Sequence, residues 1–362
     1  MAPNPITNCV RKLLYILELA TAFLLYYSGL LYLHVRVRLR KRIPIIFYHE
    51  VGICEYLPEN ISIPVDVFER QIAHIARWYN CIPLTDLHTF MDGAKDLPPN
   101  PYIIAFDGGY RGNRESAEPV LRRFGIPATI YIVTQYIETQ QLPWRYRIHY
   151  ALKSTDLSDV AFPLPGTGDR HSIRNASEKQ AFFALINGHL AAMDDGARAP
   201  IIETIASRLS VDLKAIPRNL FLTWNEVRSM DTNTGIAFGS HSLTHPDLTT
   251  VSPDIARSEI TGSKEMIERE LGTQIDSFCY PRGDFSADIK RMVREAGYRS
   301  GTTVIYGLND ESTDPYELRR IPARNVPLPL FALEASGIYR AGTLMQHVDT
   351  IKTGLKRALG RK

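Results

Sequence analysis

Cysteine is scarce and scattered, four in 362 residues, at Cys9, Cys54, Cys81 and Cys279. None shares a C-x-x-C spacing with another, which argues against a zinc knuckle or a disulfide framework, and Cys279 falls in an apolar run where a thiol serves as a small buried hydrophobe. Net charge is slight, +3 at pH 7, and no basic stripe with interleaved aromatics crosses the body of the chain. Without that electrostatic footprint nucleic acid is not the expected partner. What is plentiful is apolar residue, 44% of the chain, enough at this length for one large α/β domain with appendages.

One apolar run stands apart. From Leu13 to Leu33 the chain is apolar for about twenty residues, the length that crosses a hydrocarbon core, interrupted by Glu18, Thr21, Ser28 and several tyrosines. The length favours a membrane-spanning or deeply inserted helix and exceeds the h-region of a cleaved signal peptide. Glu18, Thr21 and Ser28 share one helical face, so a helix lying in the interface is the competing reading. Arg11 and Lys12 precede the segment, whereas Arg36, Arg38, Arg40, Lys41 and Arg42 follow it. The positive-inside rule then expects an inner- or plasma-membrane protein with its main domain facing the cytoplasm.

The rest of the chain is organised around Ile103-Ile104-Ala105-Phe106-Asp107-Gly108-Gly109-Tyr110. Apolar residues between Pro101 and a glycine pair read as a buried parallel strand entering a tight turn, with Asp107 at its C-terminal end. An Asp before glycines is commonly a turn former. Here, however, other strand-like runs end alike: Ile43–Tyr48 delivers His49, Gly235–Ser240 delivers His241 and His245, and Ser277–Tyr280 delivers Pro281-Arg282-Gly283. An acid, histidines and an arginine at the ends of separate strands is the placement alternating β/α folds give to catalytic groups.

Between these strands the helical pattern recurs. Val65–Tyr79 carries an apolar face of Val65, Phe68, Ile72, Ile75 and Ala76, Thr85 is expected to cap a helix through Met91, and Glu115–Phe124 stops at Gly125. Thr223 and Glu226 form a capping-box pattern, and helices are expected over Pro253–Leu271 and Ala287–Ala296, with a last strand over Leu318–Ala323. Such alternation means a mainly parallel sheet or barrel. Residues 144–218 break it, with helical patterns around Ser177–Met193 and Pro200–Leu209 that read as an insertion over the active face, either a lid or a structural elaboration. The expected divisions are a membrane segment and basic flank (1–42), a barrel (43–330) and an amphipathic C-terminal tail (331–362), with Leu344, Val348, Ile351, Leu355 and Leu359 on one face of the tail.

His241-Ser242-Leu243-Thr244-His245 sets two imidazoles at a spacing that, on a helical turn, lets both bind one metal ion, though a third ligand and an open position are then needed for catalysis. Together, Phe106–Tyr110, Ser240–Pro246 and Phe278–Gly283 resemble the first motifs of the polysaccharide deacetylases, the NodB-homology family, over roughly residues 43 to 325. Tyr48-His49-Glu50-Val51 and Ile126-Pro127-Ala128-Thr129 are similar to the membrane-associated, poly-N-acetylglucosamine branch. The resemblance implies a distorted (β/α) barrel and a metal-assisted carbohydrate N-deacetylase, a hydrolase of linear C–N amide bonds. Its substrate would be an N-acetylated glycan or a lipid-linked sugar, handled alongside polysaccharide synthesis machinery. Carried over by motif, Asp107 is the general base, His49 the general acid, and His241 and His245 ligands of a divalent metal, zinc by preference. Tyr280 lies where the backbone helps hold the oxyanion, and Arg282 positions the acid or base.

One position departs. The family pattern follows the base with a second Asp, the third metal ligand, and here that residue is Gly108; Gly112 departs in the same direction, standing where relatives often carry an acid. Three readings stay open: turnover with a loosely held metal, amide hydrolysis without one, or an impaired homologue that binds a glycan or a partner synthase as a scaffold.

Overall fold

The computed structural model describes residues 5–38, 42–163, 168–191, 193, 195–233 and 235–337. At its centre lie short strands, in chain order β1 (Ile45–Tyr48), β2 (Asn80–Cys81), β3 (Pro101–Gly108), β4 (Ala128–Ile132), β5 (Ile236–Ser240), β6 (Ser277–Cys279), β7 (Ser300–Thr302) and β8 (Ile321–Pro322). They lie in the order β7-β6-β5-β4-β3-β1-β8, with β2 also on β3, and their pairings are parallel. All eight residues of β3 are buried. Cover on both faces is why that strand reads as a continuous apolar run and not as an alternation.

The sheet is curled into a half-barrel. β8 pairs with β1 through Ile46 and Ile321, while Leu318, just upstream, bridges Thr302 in β7. One short segment thus touches both edges of the sheet. The expected last strand over Leu318–Ala323 is ladder-paired only at Ile321–Pro322, because its first residues serve the other edge.

The helices are α1 (Pro5–Tyr27), α2 (Leu30–Arg38), α3 (Val65–Trp78), α4 (Leu84–Met91), α5 (Glu118–Phe124), α6 (Thr134–Thr139), α7 (Trp144–Ser154), α8 (Ala176–Leu190), α9 (Asp195–Arg208), α10 (Trp224–Asn233), α11 (Pro253–Leu271), α12 (Ala287–Glu295) and α13 (Leu328–Ala335). α3 buries Phe68, Ile72 and Ile75, as its periodicity requires. The capping box before α10 is formed: Thr223 N–H donates to Glu226 Oε2 at 2.8 Å, and Glu226 N–H donates to Thr223 Oγ1 at 3.3 Å. Thr85 does not cap α4. Pro83, the extended N-cap with φ −68°, starts the helix two residues sooner and places Thr85 inside the first turn.

Residues 144–218 form a unit of α7, α8, α9 and a small antiparallel pair, Asp159–Ala161 with Arg170–Ser172. Pro200, read as a helix start, lies inside α9. At the other end of the chain, α1 and α2 bend by 75° around Ser28 and Gly29, and no single helix among the described residues is long and apolar enough to cross a membrane. The spanning helix expected from length alone is therefore not the geometry seen. The amphipathic pattern over Leu344–Leu359 lies outside the described residues.

Candidate active site

The strand ends converge on Asp107. It is the penultimate residue of β3, is 3% exposed, and meets a partner that the sequence patterns did not single out. Arg320, 0% exposed, donates from Nη1 to Asp107 Oδ1 at 2.7 Å and from Nη2 to Oδ2 at 2.8 Å. The guanidinium is itself held by Nε donating to the Thr303 carbonyl at 2.8 Å and lies 4.2 Å over the Phe47 ring. Cys279 completes the cluster, its thiol 3.6 Å from Asp107 Oδ2 and 3.2 Å from Arg320 Nη2. Burial pushes the Asp107 pKa up, but Arg320 and then His241 overcome it and hold the carboxyl below its usual range. Asp107 is therefore ionised at rest.

The histidines surround this anion. His241 Nδ1 lies 2.8 Å from the Cys279 carbonyl oxygen. A carbonyl only accepts, so Nδ1 carries the proton and Nε2 keeps its lone pair. His245 sets its ring 4.6 Å from that of His241 at 80°. The two do not share a helical turn, as their spacing suggested: residues 241–247 form a loop in which Ser242 (φ +67°) and His245 (φ +62°) are left-handed. Ser242 Oγ accepts from His245 N–H at 3.0 Å and holds that turn. His49, beyond β1, has its pKa lowered to about 4 by burial, with Asp107 pulling the other way. Burial lowers His241 too, and lowers His245 well below its ordinary value. All three imidazoles are neutral at pH 7.

Gly108 has a structural reason. Its φ is +101°, and a Cβ there would stand 2.6 Å from Tyr110 Cε2. The Tyr110 ring fills the space beside Asp107 and stacks on Phe221 at 5.2 Å. Its hydroxyl interacts with that of Tyr146 from α7. Gly112 is similarly closed, since a Cβ would strike Glu50 Oε1 and the Val51 carbonyl. The Glu50 carboxyl accepts from Gly112 N–H at 3.3 Å, and burial pushes its pKa up to about 8. Glu50 thus lies over the position where the family pattern often has an acid.

Tyr280 is bound into the fold by its own partners. Its N–H donates to the Thr302 carbonyl at 3.1 Å, its hydroxyl donates to the Tyr316 carbonyl at 3.0 Å, and its ring stacks on Phe285. That amide is spent inside the fold. Arg282 (φ +61°) lies on the rim, half-exposed, 3.6 Å from both Asp247 and Asp284. Arg145 of α7 brings a second cation: its Nε donates to Asn187 Oδ1 at 2.7 Å, and its charge helps depress the His245 pKa.

The donor set fits a metal only in part. Ligand atoms of Asp107, His241 and Cys279 lie within 4.8 Å of one another. Both Asp107 oxygens are engaged by Arg320, however, and burial keeps the Cys279 thiol protonated. The free donors are imidazole nitrogens, with no carboxylate at residue 108. Such a set suits an open, weakly held divalent ion and not a closed three-ligand site.

A sequence model of the family described as "Polysaccharide deacetylase" matches residues 94–301. The chain belongs to the polysaccharide deacetylase family. The chemistry of these deacetylases is the de-N-acetylation of polysaccharides, and the match spans Asp107, His241, His245 and Cys279. The chain is 19% identical over 285 residues to YxkH of Bacillus subtilis (strain 168), covering 77% of this chain and 71% of that one. Among solved structures, the Streptococcus pyogenes deacetylase PplD in complex with acetate matches at TM-score 0.56 and 17% identity, covering 82% of this chain and 98% of PplD. IcaB from Ammonifex degensii matches at TM-score 0.54 and 13% identity, covering 82% and 97%. At these identities the structures speak for the deacetylase fold. The mixed α/β half-barrel is shared.

Proposed function

We propose that this polysaccharide deacetylase is a carbohydrate N-deacetylase acting on an N-acetylated glycan or lipid-linked sugar during polysaccharide or glycolipid synthesis. The observation that supports this most is the buried Asp107–Arg320 pair with His49 and His241 beside it. An ionised carboxylate and neutral imidazoles are the groups a hydrolytic amide cleavage needs.

Asp107 takes a proton from the attacking water, and Arg320 fixes the direction of its lone pairs. His49 is neutral at rest and must gain a proton before it gives one. The proton removed by Asp107 passes to His49 and then to the departing nitrogen, so the balance closes without an external acid. A divalent metal, zinc by donor chemistry, would be held by His241 and His245 and would polarise the amide carbonyl. With the Tyr280 amide spent on Thr302, the rim cations Arg282 and Arg145 are the groups placed to meet polar substrate oxygens.

A second reading has one specific observation behind it. The Tyr110 ring against Gly108 closes the place of the third ligand, which suits a homologue that holds its glycan without turning it over. Release of free amine from N-acetylglucosamine oligomers, with added zinc or cobalt, decides between them. We expect release by the native chain and none by His241→Ala. Binding without release in every metal would establish the second reading, and native turnover in His241→Ala would overturn the site.

A further inference from the structure

The hinge between α1 and α2 leaves a surface that the deacetylase reading does not use. One side of this bent pair is bound to the catalytic domain. Ala22 of α1 and Leu31 of α2 are buried with Leu330, Ala332 and Leu333 of α13, Val35 enters the main core, and the Tyr32 ring lies 4.1 Å from that of Trp78. Glu18, the one acid in the apolar run, is 8% exposed. It faces inward, where its charge is felt by the Arg324–Glu334 ion pair. The polar interruption is thus accounted for by the protein side.

The other side has no partner among the described residues. Ile16, Leu17, Leu24, Tyr27, Leu30 and Leu33 are each more than half exposed, Tyr27 to 73%. Scattered apolar residues on a surface mean little, but several large ones exposed along one bent helix pair mark an interaction site. In the sequence it is followed by Arg36, Arg38, Arg40, Lys41 and Arg42, with no acid among them, and Arg42 is paired with Asp310. Apolar side chains, tyrosines and a dense basic flank in that order are the chemistry that anionic lipid recognises. A second copy fits less well, because a two-fold contact brings a patch against itself and would oppose the two basic runs. A crossing helix fits less well too, since it would have to strip α1 from α13 and carry Glu18 into hydrocarbon.

We propose that α1 and α2 form a monotopic seat that rests in the headgroup layer of an anionic bilayer. Because the pair is bolted to α13, the catalytic domain is held at a fixed attitude to that surface. The proposal does not depend on what the site catalyses.

The test is flotation of the full chain with vesicles of phosphatidylcholine alone and of phosphatidylcholine with phosphatidylglycerol. We expect flotation with the anionic vesicles and release by high salt at alkaline pH. Arg36→Glu with Arg38→Glu should cut binding roughly tenfold or more, and Leu24→Glu with Leu30→Glu should abolish it. Leu24, Leu30 and Arg36 are exposed, and an unchanged thermal transition in each variant shows that the fold survives. Equal binding to neutral and anionic vesicles, a dimer that stays off vesicles, or release only by detergent would each overturn the proposal.

Discussion

Arg320 grips both carboxylate oxygens of Asp107, at 2.7 and 2.8 Å, and both side chains are buried. The pair sets the charge of the site. Asp107 is kept ionised although it is buried, and every imidazole around it is tuned against that fixed anion.

Removing either member leaves an uncompensated buried charge. Arg320→Met should destabilise the fold by about 3–5 kcal/mol, read by chemical denaturation. Arg320→Lys keeps a charge but loses the two-pronged geometry, so it should fold and lose roughly 10²-fold or more in amine release.

Restoring a ligand at residue 108 is not a simple repair. Gly108→Asp places a side chain on a left-handed residue and against Tyr110, so alone it should lower thermal stability without raising zinc affinity. Paired with Tyr110→Ala, which empties the space, it should bind zinc more tightly than the native chain. Calorimetric titration of the single and double variants reads the difference.

Acid should weaken the fold through its histidines. His49, His74 and His88 are each lowered to about 4 from an ordinary 6.5, all by burial first. Between those values the unfolded chain binds more protons than the folded one, so stability rises with pH through that window and is lost on acidification. Thermal melting between about pH 7 and about pH 4 should show it. His88, whose Nε2 is 2.8 Å from Ser300 Oγ, lies away from the histidine cluster. His74→Phe should flatten part of the slope and leave amine release intact.

Two acids should part company in a pH profile. Glu50, with its pKa pushed up to about 8 by burial, is protonated at neutrality, whereas Asp107 is not. Glu50→Gln should therefore change little near neutral pH and alter the rate only above about pH 8, while Asp107→Asn should abolish amine release throughout.

Much of the molecule was legible in the sequence because its strands are fully buried and end in polar residues. A run such as Ile103–Phe106 has one reading, and the acid or imidazole that follows it has to emerge at the sheet's end. Helices with caps and stop signals, α11 from Ser252 to Gly272 among them, were equally readable. Arg320 was not, because it looks like one more charged residue beside Arg319. Its signal was positional: an arginine inside an expected buried strand needs a carboxylate, and Asp107 was the one already placed in the core. Thr85 misled because the preceding proline outranked it. The histidine turn misled because four residues' spacing is shared by a helix and by a loop with two left-handed residues. The bend at Ser28 and Gly29 is invisible to an apolar count, and it changes a helix that looked long enough to span into a pair that lies along the protein.

The segment that joins the two edges of the half-barrel also carries Arg320. Until residues 318–322 are made and threaded between β1 and β7, Asp107 has no counter-charge and the sheet has open margins. A nascent chain therefore holds an unpaired and unfinished centre through most of its synthesis. A chain shortened before that segment would leave a buried carboxylate without its counter-charge and the sheet with open margins, and it should be recognised as incomplete and cleared.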